Sequence, residues 1–253
     1  MPNQVVLCHR QIIDAQPKWA LESCGKPEVA RAYQQLMELC RLSIEQYLAG
    51  EFDVTVLTGT VTDRTSLFEQ NWHDLRRLVR GNNHAVLWLD SDCLMVQPCD
   101  PWHWSEFRLF ADTGFTHPQG RFDIYMNCGV KFFPPGMADN LWDLPGEWDH
   151  SYYDHEQERY NTMFWHDPVS DWHQPQLNYQ VFEIQEPDDV LNFQKRNRCR
   201  WGLVEIMHNH ASRGALQVLA TNELIWERVS QGHKVWEPVS YHIKEHKHDR
   251  SFA

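Results

Sequence analysis

The stretch Ala85–Pro98, AVLWLDSDCLMVQP, decides the fold of this chain. Its apolar run Ala85–Leu89 leads directly into Asp90-Ser91-Asp92, and a second apolar run follows. A continuous apolar segment of this length is typical of a central strand that is buried on both faces of an α/β sheet. Ligands of such sheets bind beyond the carboxyl ends of the strands, where the two aspartates stand. Alternate side chains of an extended chain point the same way, so both carboxylates are expected to face one point.

Two aspartates in this position indicate a site for a divalent cation. Carboxylate oxygens are hard anionic ligands that suit Mg²⁺ or Mn²⁺, which such sites share with the phosphates of a nucleotide. Asp-x-Asp by itself is also common in an ordinary turn after a strand. Its position between a buried strand and a second apolar run favours the metal site.

The residues before this stretch alternate between strand and helix patterns. We predict the strand Gln4–Cys8, the helix Val29–Leu48, the strand Asp53–Thr58, a turn at Gly59-Thr60, and a helix from Thr62-Asp63 to about Val79. This alternation predicts an α/β fold with a mostly parallel central sheet flanked by helices. His9 and Arg10 follow the first predicted strand, where they either meet a nucleotide base or phosphate or form a plain exit from the strand.

The second half of the chain is richer in aromatic residues and histidine. We predict the strands Arg108–Asp112, Asp123–Phe133 and Trp201–His210, and the helices Glu156–Trp165 and Gln217–Gly232. Three tryptophans in this half, Trp148, Trp165 and Trp172, either form an acceptor platform or pack a lid. The charged residues 241–253 are expected to form a tail that is either partly disordered or docked on the surface.

The composition narrows the classes of partner. The chain has 253 residues, of which 42% are hydrophobic, and its net charge of -12 argues against nucleic acid or an anionic membrane as the main partner. No apolar run approaches the roughly 20 residues of a membrane helix, and residues 1–10 lack the pattern of a signal peptide. Seven cysteines without a Cys-x-x-Cys pair predict reduced thiols in a cytoplasmic protein.

Four blocks resemble those of GT-A fold glycosyltransferases, nearest to the family-8-like enzymes of the glycogenin and bacterial galactosyltransferase type. LWLDSDCLMVQP resembles the strand with the Asp-x-Asp motif, and YMNCGVKFFPP resembles the Asn-Ser-Gly-Val block, with Cys128 in place of Ser. EQERYN, from Glu156, resembles the Asp-Gln-Asp-x-x-Asn block, for which HQPQLN, ending at Asn178, is a second candidate. IMHNH resembles the late strand that ends in a metal-binding histidine.

The resemblance implies a metal-dependent glycosyltransferase. Residues 1–240 would form one GT-A-like catalytic domain, with a nucleotide-binding half at 1–100 and an acceptor half at 101–240. It would transfer a sugar from a nucleotide-diphospho-sugar, expected to be a UDP-sugar, to a glycan, lipid or protein acceptor. The metal, Mn²⁺ or Mg²⁺, would be held by Asp90, Asp92 and His208, with His210 as the alternative to His208.

The remaining expected site residues come from two sources: the resemblance to the family, and the position of Cys8, His9 and Arg10 at the end of the first predicted strand. The nucleotide-sugar is expected to meet Cys8, His9, Arg10, Asp90, Ser91, Asn127 and Gly129. Glu156 and Gln157 would face the reacting carbon of the sugar. If the reaction inverts the configuration, a carboxylate base is required, and the candidates are Asp154, Glu156 and Asp171.

Two other functions are compatible with parts of the sequence. A nucleotidyltransferase of related fold also uses acidic metal ligands, but it usually has a glycine-rich basic loop after the first strand, and Cys8-His9-Arg10-Gln11 has no glycine. A non-enzymatic zinc-binding or carbohydrate-binding protein is the third hypothesis. Its zinc ligands would come from His150, His155, His166 and His173, or from His242 and His246.

Overall fold

The computed structural model describes residues 2–12, 26–62, 64–111, 126–137, 157, 160, 177–181, 203–209 and 214–233. Within these ranges the chain forms eight strands and three helices. The strands are β1 (Asn3–Ile12), β2 (Phe52–Val61), β3 (Val86–Leu89), β4 (Cys93–Met95), β5 (Arg108–Ala111), β6 (Met126–Phe133), β7 (Tyr179–Val181) and β8 (Ile206–Asn209). The helices are α1 (Pro27–Tyr47), α2 (Arg64–Val79) and α3 (Ala215–Val229).

The central sheet has the strand order β2-β1-β3-β6-β5. β1 pairs in parallel with both β2 and β3, whereas β6 is antiparallel to β3 and to β5. Four of these five strands therefore run in one direction and β6 runs in the other. The prediction of a mostly parallel sheet flanked by helices is confirmed.

The central strands are buried on both faces. Val5 and Leu7 of β1 pack with Ile44 of α1 on one side of the sheet. Val6 packs with Trp72 of α2 on the other side. Helices on both faces leave no side of the strand for water, so β1 and β3 read as continuous apolar runs rather than as an alternation.

A second, three-stranded sheet has the order β4-β8-β7, with β4 antiparallel and β7 parallel to β8. Helix α3 covers it, with Ile225 and Val229 packed against Leu94 and Met207. The chain reaches this sheet through a tight turn in which the backbone N–H of Cys93 donates to the carbonyl of Asp90 at 3.0 Å. The aspartate pair therefore lies where the chain crosses from one sheet to the other.

Two local predictions are wrong. His9 and Arg10 lie inside β1 rather than after it, and Gly59-Thr60 lies inside β2 rather than in a turn. The cause is the parallel pairing, which continues through Arg10 opposite Gly59 to the ends of both strands. The hydrogen bonds between β1 and β2 outweigh the local preference of glycine for turns.

The other predicted elements agree with the structure within a few residues where they are described. α1, α2 and α3 match the three predicted helices in these ranges, and β7 is a strand that the sequence did not predict. The predicted helix 156–165, apart from Gln157 and Tyr160, lies outside the described residues, as do the three tryptophans and the tail 241–253. None of the described helices has a stretch that is long and apolar enough to cross a membrane.

Candidate functional site

The turn after β3 holds Asp90 against the central sheet. Its backbone N–H donates to the carbonyl of Gly129 on β6 at 2.8 Å. Its side-chain Oδ1 accepts a hydrogen bond of 2.9 Å from the indole Nε1 of Trp88. Asp90 therefore lies at the carboxyl end of a buried strand, as the sequence predicts. Trp88, a residue of that same strand, holds its carboxylate in place.

Asp92 is anchored to the second sheet and to α3. Its carbonyl accepts from the backbone N–H of Asn209 and from the side-chain Nδ2 of Asn222, both at 3.3 Å. The side-chain Nδ2 of Asn209 donates in turn to Oδ1 of Asn222 at 3.2 Å. These contacts place the Oδ1 atom of Asp92 3.4 Å from Nε2 of His208, and both side chains are buried.

A chain of amide groups fixes the tautomer of His208. The backbone N–H of Gly129, which can only donate, donates to Oδ1 of Asn127 at 2.8 Å. Asn178 Nδ2 donates to that same oxygen at 3.0 Å, so the Oδ1 atom of Asn178 faces Nδ1 of His208 at 3.1 Å. Nδ1 must therefore carry the ring proton, and Nε2 directs its lone pair towards Asp92.

This arrangement is suited to a cation. With the ring proton on Nδ1, the Nε2 atom of His208 and the Oδ1 atom of Asp92 are two acceptors facing each other across 3.4 Å. Either a second ring proton or a metal ion between them removes the repulsion. Histidine ligands characteristically donate their other ring N–H to a carbonyl or carboxylate, as His208 does to Asn178, so the residues fit a metal site.

The ligand atoms of Asp92, Cys93 and His208 lie within 4.8 Å of one another. Cys93 and His208 are cross-strand partners on β4 and β8. The thiol of Cys93 donates to the carbonyl of Gly129 at 3.5 Å, which brings the sulfur to the same point. Cys93 begins the second apolar run of the sequence, and nothing in its local sequence marks it as a ligand.

Gly129 is required by the approach of the histidine. A Cβ atom at this position would lie 2.1 Å from Cε1 of His208 and 2.4 Å from Nδ1. A glycine inside a strand allows a close approach, and here the approaching group is the imidazole ring.

A buried lysine lies below the site. Lys131 on β6 is 1% exposed, and its Nζ lies 4.3 Å from the ring centroid of Trp88 and 5.3 Å from that of Tyr160. Burial is the main cause that raises the pKa of Asp90 to about 6; Lys131 acts in the opposite direction, and Asp92 adds a smaller upward contribution that is included in this value. A lysine among apolar residues in a buried strand is the signal by which the sequence could have revealed this counter-charge.

The remaining predicted residues are distributed as follows. Gln157 accepts through Oε1 from the backbone N–H of Cys128 at 3.1 Å, so it lies beside the segment that carries Asn127 and Gly129. Ser91 lies in the turn between the two aspartates. Asp154, Glu156, Asp171 and His210 lie outside the described residues. Asn178, the last residue of the second candidate block, faces Nδ1 of His208 through its side-chain oxygen.

Two of the predicted nucleotide contacts on β1, Cys8 and Arg10, lie against α2. The guanidinium of Arg10 bonds to the side chains of Asn71 and Asp74, and the Cys8 thiol donates to Asn71 Oδ1 at 3.1 Å. His9 is half-buried, and burial lowers the pKa of its imidazole. Arg10 therefore has an acidic partner within the protein, a contact that the sequence did not predict.

Only the comparison with solved structures finds proteins that are similar to this chain. No family model matches this sequence, and no curated protein matches it. Glycosyltransferase GlyE of Streptococcus pneumoniae TIGR4 is similar with a TM-score of 0.52 and 15% identity over 92% of this chain and 64% of that one. The bifunctional glycosyltransferase WbbM is similar with a TM-score of 0.52 and 12% identity, over 96% of this chain and 51% of that one. An active-site mutant of LgtC is similar with a TM-score of 0.50 and 12% identity, over 86% of this chain and 95% of that one. The chain therefore has the fold of the GT-A glycosyltransferases.

Proposed function

We propose that this protein is a metal-dependent glycosyltransferase that transfers a sugar from a nucleotide-diphospho-sugar to an acceptor hydroxyl group. The observation that carries the proposal is the pairing of His208 Nε2 with Asp92 Oδ1 across 3.4 Å, at the junction of the two sheets. Both side chains are buried, and the tautomer of the histidine is fixed by Asn178. The similarity in fold to solved glycosyltransferases supports the same reading.

The charge of the leaving group sets the requirement for the metal. When the bond between sugar and diphosphate breaks, the diphosphate takes on negative charge. A divalent cation held there acts as a Lewis acid that stabilises this charge and orients the donor. Asp92 and His208 would hold the ion, and Asp90 would lie beside it, held by Trp88.

The protein groups around the ion would position the donor sugar. Asn127 and Gln157 both bond to the backbone of the Cys128–Gly129 segment, which lies next to the turn of the aspartates. Holding donor and acceptor in reacting geometry is a large part of the catalytic effect in group transfer. We assign to these amides the orientation of the sugar rather than a covalent step.

For the donor we propose a UDP-sugar, and for the site of action a reducing compartment such as the cytoplasm. The five described cysteines are free thiols, as expected where disulfides do not form. The base would lie at the carboxyl ends of β1 and β3, the edge of the sheet where ligands of this fold class bind.

A thermal-shift titration against UDP, GDP, CDP and ADP, each with and without Mn²⁺, tests the proposal. At 100 times its dissociation constant, a ligand that binds only the folded state adds about 2.7 kcal/mol to the free energy of unfolding, which corresponds to a melting temperature roughly 5–10 °C higher. We expect such a shift with UDP only when Mn²⁺ is present. Incubation with UDP-sugars should then show metal-dependent release of UDP.

The variant Asp92→Ala separates the site from the fold. We expect it to remain folded and to lose the shift that depends on Mn²⁺. If the melting temperature of Asp92→Ala rises with UDP and Mn²⁺ as much as that of the wild-type protein, the binding site is elsewhere. No shift with any nucleotide in the wild-type protein would contradict the transferase function and favour a protein that binds metal without catalysis.

A further inference from the structure

The Asp92–Cys93–His208 cluster holds three different donor atoms: a carboxylate oxygen, a sulfur and an imidazole nitrogen. All three side chains are buried, with exposed fractions of 9%, 0% and 3%. The three ligand atoms lie within 4.8 Å of one another, so small side-chain rotations bring them around a single ion.

The backbone explains why the cysteine belongs to this cluster. Cys93 and His208 stand directly opposite each other in the antiparallel pair of β4 and β8. Side chains of directly opposite residues emerge on the same face with Cβ atoms about 4.5–5.5 Å apart. In the metal-free protein the thiol donates to the carbonyl of Gly129 at 3.5 Å, and metal binding would release this proton to solvent as the thiolate forms. The proximity of sulfur and imidazole thus follows from strand register and does not depend on a loop.

We propose that Cys93 is a third protein ligand of the metal and that the site therefore prefers a borderline-soft ion, Zn²⁺ in the first place, over Mg²⁺ and Mn²⁺, although Mn²⁺ still binds. Thiolate ligands select zinc and other soft or borderline ions, whereas Mg²⁺ and Mn²⁺ prefer oxygen ligands. Three protein ligands with a fourth position left for a phosphate oxygen match the coordination of catalytic zinc.

The separation of the histidine and aspartate atoms leaves room for one ion between them. Two donor atoms bonded to the same ion at about 2.0–2.1 Å lie about 2.9–3.4 Å apart, depending on the coordination geometry. The observed distance from His208 Nε2 to Asp92 Oδ1 is 3.4 Å. Asp90, whose Oδ1 bonds to Trp88, is then left to face the donor substrate rather than to complete the coordination.

The inference rests on the proposed function for what the ion does in catalysis, but not for where it binds. Its test is therefore a spectroscopic one on the metal-free full-length protein titrated with Co²⁺, which replaces Zn²⁺ and reports its ligands by colour. We expect one equivalent of Co²⁺ to give a sulfur-to-cobalt charge-transfer band in the near ultraviolet and the intense visible bands of a tetrahedral ion.

The variant Cys93→Ser should lose the near-ultraviolet band. Its ratio of Zn²⁺ to Mn²⁺ affinity should fall at least tenfold, because a hydroxyl group is a harder and weaker ligand than a thiolate. Cys99→Ser is the matched control. Cys99 is 3% exposed and lies outside the cluster, so its variant should keep both the band and the affinity ratio.

The outcomes separate this inference from the proposed function. Co²⁺ binding without the charge-transfer band in the wild-type protein overturns the role of Cys93, whether or not the variants fold. A band that persists in Cys93→Ser overturns it as well. If the band is absent and UDP still binds with Mn²⁺, the inference fails and the transferase function stands. If the band appears and no nucleotide binds, the metal site is correct and the function is wrong.

Discussion

Replacing Gly129 by alanine tests the geometry on which the site depends. The added Cβ would lie 2.1 Å from Cε1 of His208, whereas non-bonded carbon atoms prefer about 3.5–4.0 Å. The ring or the strand must therefore move by about 1.4 Å or more to relieve the overlap. His208 is 3% exposed and bonded to Asn178, so this displacement takes place against a packed environment.

We expect two measurable effects of Gly129→Ala. Overpacking of a buried site costs about 1–3 kcal/mol, which lowers the melting temperature by roughly 3–10 °C. Metal ligands must keep their distances within about 0.2 Å, so moving the ring by more than that should weaken binding of Zn²⁺ or Mn²⁺ at least tenfold. Urea unfolding of the metal-free protein measures the first effect, and titration against a chelating dye measures the second.

Gly136→Ala is the control for a glycine substitution that does not touch the site. Gly136 has φ of +71° in the turn after β6, and a Cβ there would meet nothing within 4 Å. It should lose about 1–2 kcal/mol of stability through backbone strain and keep its metal affinity. If Gly129→Ala is folded and binds metal as tightly as Gly136→Ala does, His208 is not a ligand in the position described.

Three further substitutions test the groups that support the site. Asn178→Leu removes the acceptor for His208 Nδ1, so metal affinity in a competition with chelator should fall about 10–100-fold; an unchanged affinity would show that the amide does not orient the ring. The pKa of Asp90 is raised to about 6, mainly by burial, so this group stabilises the metal-free fold at low pH and its contribution is lost as pH rises from about 4 through 6. Asp90→Asn should flatten this dependence of stability on pH in urea unfolding, and an unchanged dependence would show that Asp90 does not cause it. Asn222→Leu leaves the carbonyl of Asp92 without its side-chain donor and should cost about 1–3 kcal/mol in urea unfolding, and a cost near zero would mean that the bond from α3 contributes nothing.

Much of the framework could be predicted because its signals are local in the chain. The apolar run Ala85–Leu89 became β3, and the amphipathic segments became α1 and α2. Each depends on the period of apolar residues within one window, which reflects directly how many faces of an element are buried. The extension of β1 through Arg10 did not follow from its own residues, because it comes from pairing with β2.

Only part of the candidate site was predicted from the sequence. Asp90, Asp92 and His208 belong to blocks that resemble a known family. Asn178, Cys93 and Lys131 stand in the same blocks, but no role was assigned to them, because the partners that give an amide, a thiol or a lysine its role lie far away along the chain. Asn178, for example, lies 30 residues from His208 along the chain and bonds to it at 3.1 Å.

The sequence by itself determined the alternation of strands and helices and the aspartates at the end of a buried strand. Only the tertiary structure decided which groups meet there. The register of β4 against β8 sets Cys93 opposite His208, and the amides of Asn127 and Asn178 place the ring proton on Nδ1. The physical reason is that apolar periodicity is written along the chain, whereas ligand geometry and tautomer depend on the distances between strands that are far apart in it.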